Sequence, residues 1–260
     1  MIRRRTVVAL LASPPLLTGC GGGGTAAGRR AAPTAAARPA PGPASGTAAE
    51  RAPQGTRGGR GAPGVPRIPG LGPKRAAAIP ERCRQAVVVT GRGKNSPLST
   101  VVLYQRTATG WQPGPTWPAH NALLHGWSAH HLVGDLRSPL GVYTLPDAGG
   151  LLPDPGSRLP YHHSRGFHSP GTGFEGEPLE GSFDYVVAID YNRRPGTSPL
   201  DWTRPLGPGR GGGVWLHVDH GDPTHGCVSV AKSSMRRLLR TLEPGSHPVV
   251  VMGYADWLAG

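Results

Sequence analysis

Aromatic residues are scarce in this chain, with 3 Phe, 6 Trp and 6 Tyr among 260 residues, and there are only three cysteines. Three cysteines exclude a dense disulfide framework, so any fold must rest on a packed core. Long hydrophobic runs are also lacking. The longest, from Thr6 to Leu17, falls short of the roughly twenty apolar residues that cross a bilayer as a helix. Aromatics are absent altogether from residues 21 to 80, where Gly, Ala and Pro fill 40 of 60 positions. Such a segment cannot bury enough surface to offset the entropy of ordering it. Residues 20–82 are therefore expected to form a disordered tether, with a typical reach of roughly 40 Å.

Acidic residues are few as well, 15 against 28 lysines and arginines, giving a net charge of +13. The excess is unevenly placed: +3 lies in Arg3-Arg4-Arg5, +8 in residues 20–82 and only +2 in residues 83–260. A basic strap on a nearly neutral domain favours anionic lipid headgroups or wall polymers. No nucleic-acid-binding motif accompanies the charge, and no nucleic-acid partner is expected.

The three arginines, the short apolar stretch and Leu17-Thr18-Gly19-Cys20 read as an export signal. The last four residues resemble the lipobox of bacterial lipoproteins. That resemblance implies removal of residues 1–19, acylation of Cys20, and a lipid anchor on the outer face of the cytoplasmic membrane, facing the cell wall.

Residues 83–260 suffice for one substantial core, and their patterning is mainly β. Ala86 to Thr90 and Ser99 to Arg106 read as strands around a Gly/Lys/Asn/Pro turn. Trp111, Val142 to Leu145, Tyr185 to Asp190, Val214 to Val218, Cys227 to Val230 and Val249 to Met252 continue the series. One helix is expected, capped by Ser233, with Met235, Leu238, Leu239 and Leu242 on its inner face and Arg236, Arg237 and Arg240 on its outer one. Pro244-Gly245 ends it.

Chemistry concentrates between Val214 and Val230. His217 stands ten residues before Cys227, the last residue of Thr224-His225-Gly226-Cys227. A thiol needs a base to become a nucleophile near neutral pH, so Cys227 and His217 form a minimal acyl-transfer pair. Strands paired across the Gly/Asp/Pro turn at 219–223 set His217 at the end of one facing Cys227 at the start of the other. Alternation puts Trp215 and His217 on one face and Val214, Leu216 and Val218 on the opposite one. Gly226 lets backbone approach a substrate carbonyl, and the N–H groups of Gly226 and Cys227 are candidates for an oxyanion hole.

At these residues the chain resembles the YkuD-type L,D-transpeptidases, whose signature is a histidine, a spacer, then Ser/Thr-His-Gly-Cys. The similarity extends to Gly134 through Tyr143 and to Tyr185 through Asn192, and covers roughly residues 84–253. It implies a YkuD-type β-sandwich that needs no cofactor and acts on peptidoglycan stem peptides. Cys227 would be the nucleophile and His217 the base, the latter oriented by a backbone carbonyl. Thr224, His225, Gly226 and Ser229 would surround the substrate. The reaction implied is release of D-alanine through a thioester, resolved by an amine into a 3→3 cross-link or by water. Ser229 replaces the Arg or Asn often found two positions after the cysteine, so a contact to the substrate carboxylate is either absent or supplied from elsewhere, with Arg210 and Arg137 as candidates. The six-residue spacer is also shorter than the most familiar one.

A rival reading takes His217, His220, His225 and Cys227 as zinc or copper ligands, although their spacing matches no standard signature. We expect no metal. His220 reads as a solvated turn residue. His125, His130, His131, His162, His163 and His168 read as exposed loop polarity. Residues 146–182, rich in Gly and Pro, are a candidate flap over the substrate groove. Cys83 is expected to be an unpaired thiol, and the protein a monomer.

Overall fold

The structure is a computed structural model that describes residues 65–123, 126–173 and 175–260. After a short helix α1 (Pro73–Ala77) come β1 (Gln85–Gly91), β2 (Leu98–Thr107) and β3 (Gly110–His120). Short strands follow: β4 (Trp127–Ser128), β5 (Ser138–Pro139), β6 (Gly141–Thr144), β7 (Ala148–Gly150), β8 (Tyr161–His163) and β9 (Val186–Ala188). The site region holds β10 (Trp215–Val218) and β11 (Val228–Val230), and helix α2 (Lys232–Thr241), β12 (Val249–Tyr254) and α3 (Ala255–Ala259) complete the chain. Ten of the strands form one curled sheet in the order β6-β12-β1-β2-β3-β11-β10-β9-β7-β8. The mainly β fold expected from the sequence is present.

Near-continuous apolar character in β1 and β12 reflects burial on both faces. Val87 and Val89 point into the larger core, where Leu216, Val228 and Val230 from β10 and β11 meet Met235, Leu238, Leu239 and Leu242 of and just after α2. Each of those helix-derived side chains is fully buried, a contribution of about 1.5–3 kcal/mol apiece for the larger ones. Ala86 and Val88 point the other way, into a smaller core with Cys83, Trp111 and Leu258. Cys83 is a free, buried thiol, as expected, and donates to the carbonyl of Gln85 at 3.2 Å.

Three expectations about elements need correction. The tether was drawn to residue 82, yet residues 65–82 fold onto the domain. Val65 and Trp111 exchange backbone hydrogen bonds of 2.8 and 2.7 Å, and Ile68 is buried in the smaller core. Four apolar residues, Val65, Ile68, Leu71 and Ile79, are too diluted by Gly, Ala and Pro to register as a pattern. Residues 20–64 lie outside the described residues. Second, three helices are present among the described residues instead of one. Third, Ser233 does not cap α2: Ala231 holds that position, its carbonyl accepting from Ser234 and Met235 at 2.8 and 3.0 Å.

The long link from β9 to β10 is anchored by buried polar groups. The Arg193 guanidinium, 1% exposed, bonds Asp190 at 2.6 Å and Asp147 at 2.8 Å, and also the Thr197 carbonyl. The Asn192 amide donates to the carbonyls of Gly207 and Gly211 at 2.9 and 2.6 Å and accepts from Leu206 N–H at 2.7 Å. Near the end of this link the Gly213 carbonyl lies 3.7 Å from Cys227 Sγ.

Candidate active site

β10 and β11 pair in parallel, with Leu216 opposite Val228 and His217 opposite Ser229. The expected antiparallel hairpin is thus absent, because residues 219–227 run back outside the sheet before β11 begins. In this register Trp215 is the neighbour of Cys227, and its N–H donates to Cys227 Sγ at 3.4 Å. Leu216, Val228 and Val230 face the core, as alternation predicts. Trp215, His217 and Cys227 share the opposite face and line one cavity of about 270 Å³. The intended juxtaposition survives the change of strand direction.

His217 Nδ1 lies 2.9 Å from the carbonyl of Val218. A backbone carbonyl therefore fixes the tautomer and leaves Nε2 unprotonated, able to accept a proton. Burial pushes the imidazole pKa down to about 4. Burial likewise pushes the Cys227 thiol up to about 11, only partly countered by the Trp215 N–H. At neutral pH both groups are uncharged, so the resting site is a thiol beside a neutral base. No thiolate–imidazolium pair is preformed, and the proton must move as the new C–S bond forms.

Thr224 shapes the loop that carries the thiol. Its Oγ1 donates to the Cys227 carbonyl at 2.7 Å and accepts from Gly226 N–H at 3.3 Å, while its own N–H donates to Asn121 O at 3.0 Å. The Gly226 N–H, a candidate oxyanion donor, is thus engaged in this state, although weakly. Gly226 packs over Arg137 O, which a Cβ would approach to 3.3 Å. His225 is exposed at the cavity rim.

Ser229 stands elsewhere. It is fully buried and donates to Asp219 Oδ1 at 2.7 Å, where His120 Nδ1 also approaches at 2.8 Å, and it does not line the cavity. Neither Arg137 nor Arg210 lines it either. Burial raises the Asp219 carboxyl, but the bonds from His120 and Ser229 outweigh that and hold it down at about 2. The Asp219 contact in turn raises His120. A depressed carboxyl contributes stability that is complete above its ordinary value of 3.8 and is lost as pH falls through about 2. The raised His120 contributes below its ordinary 6.5 and loses that contribution as pH rises through its folded value. Asp219→Asn is therefore expected to cost about 1–3 kcal/mol at about pH 5 and less at about pH 9. Thermal melts of both chains at the two pH values check this.

Two histidine expectations are corrected. The His220 side chain is buried: its ring stacks on His217 with centroids 5.7 Å apart and planes 4° from parallel, and Glu177 lies 3.3 Å from its Nδ1. His131 is also buried, beside Asp135 at 2.8 Å and edge-on to Tyr191. Each ring is turned inward onto a carboxylate, Glu177 for His220 and Asp135 for His131, which composition does not reveal. His130, His162, His163 and His168 are exposed, and His125 lies outside the described residues. Stacked parallel, the rings of His217 and His220 do not direct their nitrogens to one point. Among the described residues, no group of three or more His, Cys, Asp or Glu is arranged to hold a metal ion.

Part of the segment 146–182 does reach the site: Gly173, Glu177 and Leu179 line the cavity. Phe183 stands edge-on to both Trp215 and His217, each 5.2 Å away, and Phe167 supports Trp215 from 5.7 Å. Glu177 and Phe183 were not legible as site residues, since they come from a segment with no periodicity. Trp215 was legible, by sharing a strand face with His217.

No curated protein sequence matches this chain. Among solved structures, that of Bdellovibrio bacteriovorus Bd1075 is similar at 15% identity and a TM-score of 0.36, over 66% of this chain and 48% of the other. This chain thus spans about half the length of that one. The family model for the L,D-transpeptidase catalytic domain, YkuD, matches residues 83–251, from just before β1 into β12, and by that match the chain belongs to the YkuD family.

Proposed function

We propose that this protein is a peptidoglycan L,D-transpeptidase acting through a thioester on Cys227, exported and held at the membrane by acylated Cys20. The observation that carries the catalytic reading is that His217, in β10, and Cys227, immediately before the paired strand β11, line one cavity, with His217 Nδ1 tied to Val218 O. Sγ attacks the carbonyl that precedes the terminal D-alanine of a stem tetrapeptide as its proton passes to His217 Nε2. Collapse of the tetrahedral adduct breaks the C–N bond, and the departing D-alanine amine takes that proton. An amine of a second stem then attacks the thioester, forming the 3→3 amide and returning the thiol. In this reading the Cys227 N–H, joined by that of Gly226 when Thr224 releases it, stabilises the oxyanion.

Intact-mass spectrometry of the purified chain with a disaccharide tetrapeptide tests this reading. The expected result is an acyl adduct lost in Cys227→Ala, stoichiometric release of D-alanine, and accumulation of tetra-tripeptide dimers. Free tripeptide without dimer would make the protein an L,D-carboxypeptidase that uses the same thioester. No adduct on a folded chain would leave a wall-binding lipoprotein without turnover.

A further inference from the structure

The cavity above Cys227 contains polar atoms that acyl transfer does not use. Glu177 Oε1, His220 Nδ1 and the indole Nε1 of Trp215 are buried and have no hydrogen-bond partner, and all three belong to residues lining this cavity. A carboxylate oxygen kept out of water without a partner is costly, and retaining one in a cleft points to a ligand that completes it.

The fold builds this position. Thr172 and Pro178 form a β-bridge, and Gly173 N–H donates to Glu177 O at 2.8 Å. Glu175 N–H donates to Glu177 Oε2 at 2.9 Å, which turns the other oxygen inward. Gly173 makes room for it, since a Cβ there would overlap Oε1. The Glu177 side chain is 7% exposed, and its Oε1 faces His220 Nδ1 at 3.3 Å without hydrogen-bond geometry.

Charge and shape then narrow the ligand. No lysine or arginine lines the cavity, whose other ionisable groups are His217, His220, His225 and Cys227. Burial holds both His217 and His225 toward the neutral form. The site therefore offers a carboxylate with no fixed cation. A divalent metal lacks a third converging ligand among the described residues. A primary ammonium supplies several N–H donors to one place, and an aliphatic chain behind it fits the walls made by Leu179, Phe183 and Trp215.

We infer that Glu177 is the specificity residue of this site, its Oε1 together with His220 Nδ1 binding a primary aliphatic ammonium of the peptide substrate beside Cys227. The inference rests on the acyl-transfer reading and adds what that reading leaves open, namely which substrate group the cavity selects. Two sources share this chemistry: the side-chain amine of the donor's third residue and the amine of the acceptor.

Two ratios, each measured on the full chain, separate the sources. The donor arm compares D-alanine release from a tetrapeptide whose third residue bears a free side-chain amine with release from its N-acetylated form. The acceptor arm compares capture of the acyl-enzyme by cadaverine with capture by neutral hydroxylamine, relative to hydrolysis. The wild-type chain is expected to favour the ammonium-bearing compound by at least about tenfold in one arm. Glu177→Gln removes the charge, and Gly173→Ala displaces the carboxylate while keeping its charge, so both are expected to abolish that preference. The arm that responds identifies the source. Equal rates for both compounds in both arms with the wild-type chain overturn the inference without need of any variant, as does a preference that survives both substitutions. Absence of any Cys227 adduct in the wild type would instead remove the acyl-transfer reading, and this inference with it.

Discussion

The His217→Ala substitution is expected to slow acylation of Cys227 by about 10²- to 10⁴-fold, the usual contribution of a positioned base. The resting site is a neutral pair, with the imidazole lowered to about 4 and the thiol raised to about 11 by burial. Acylation in the wild type should therefore rise as His217 loses its proton near pH 4, then stay level until the thiol itself ionises near pH 11. Without the imidazole the acid limb disappears, and the rate should climb with pH throughout, because solvent hydroxide must generate the thiolate. Acylation by a carbapenem, followed by absorbance across this range, measures both profiles. A wild-type limb near the ordinary imidazole value of 6.5 would instead show that burial does not hold the His217 ring neutral in the free enzyme.

Loss of the guanidinium at position 193 is expected to be the most damaging single change to stability outside the apolar core. In Arg193→Ala two carboxylates, Asp147 and Asp190, lose their cation in a place where water does not replace it. Breaking a buried pair of this kind costs about 3–5 kcal/mol. Asp190, raised by burial against the pull of Thr144 and Arg193, is then expected to bind a proton more readily. Arg193→Lys should recover only part of the loss, since a single ammonium cannot reproduce the fork that reaches both carboxylates and Thr197 O. Urea unfolding of the three chains checks the order. A cost below about 1 kcal/mol for the alanine variant would mean that the network adds little net stability.

The sequence made most of the strands legible where side chains alternate or where both faces are buried, as in β1, β2, β10 and β12. It hid β3 beyond Trp111, because Pro113, Pro115 and Pro118 argue against a sheet interior. The structure resolves that conflict: β11 pairs only with Ala119 and His120, which leaves the proline-bearing stretch of β3 with one unpaired edge. That Cys227 and His217 come together was readable from residue types and order, and the shared face of Trp215 and His217 from alternation, whereas the burial of the His217 ring was not. The direction of pairing was not, since a Gly/Asp/Pro segment suits a hairpin and a crossover equally. The resemblance implies Ser229 near the substrate, whereas the sheet turns its hydroxyl toward Asp219, which His120 also approaches. Glu177 was invisible because its position depends on a turn closed by Gly173, far from the motif in sequence.

The parallel pairing of β10 and β11 changes what the histidine-to-cysteine spacing means. His217 and Cys227 are held relative to each other by the ladder, Leu216 to Val228 and Val218 to Val230, and by Asp219 N–H bonding Val230 O at 2.8 Å. Residues 219–227 only need to travel back along about 10 Å of strand, at 3.3 Å per residue. Shortening this link below the few residues needed for that return would pull the ladder out of register, whereas lengthening it leaves the pair undisturbed. Spacing in such a motif is therefore a lower bound and not a measure of geometry. What the link's length does govern is where His220 comes to rest, so the contact of His220 with Glu177 can change while His217 and Cys227 stay in place.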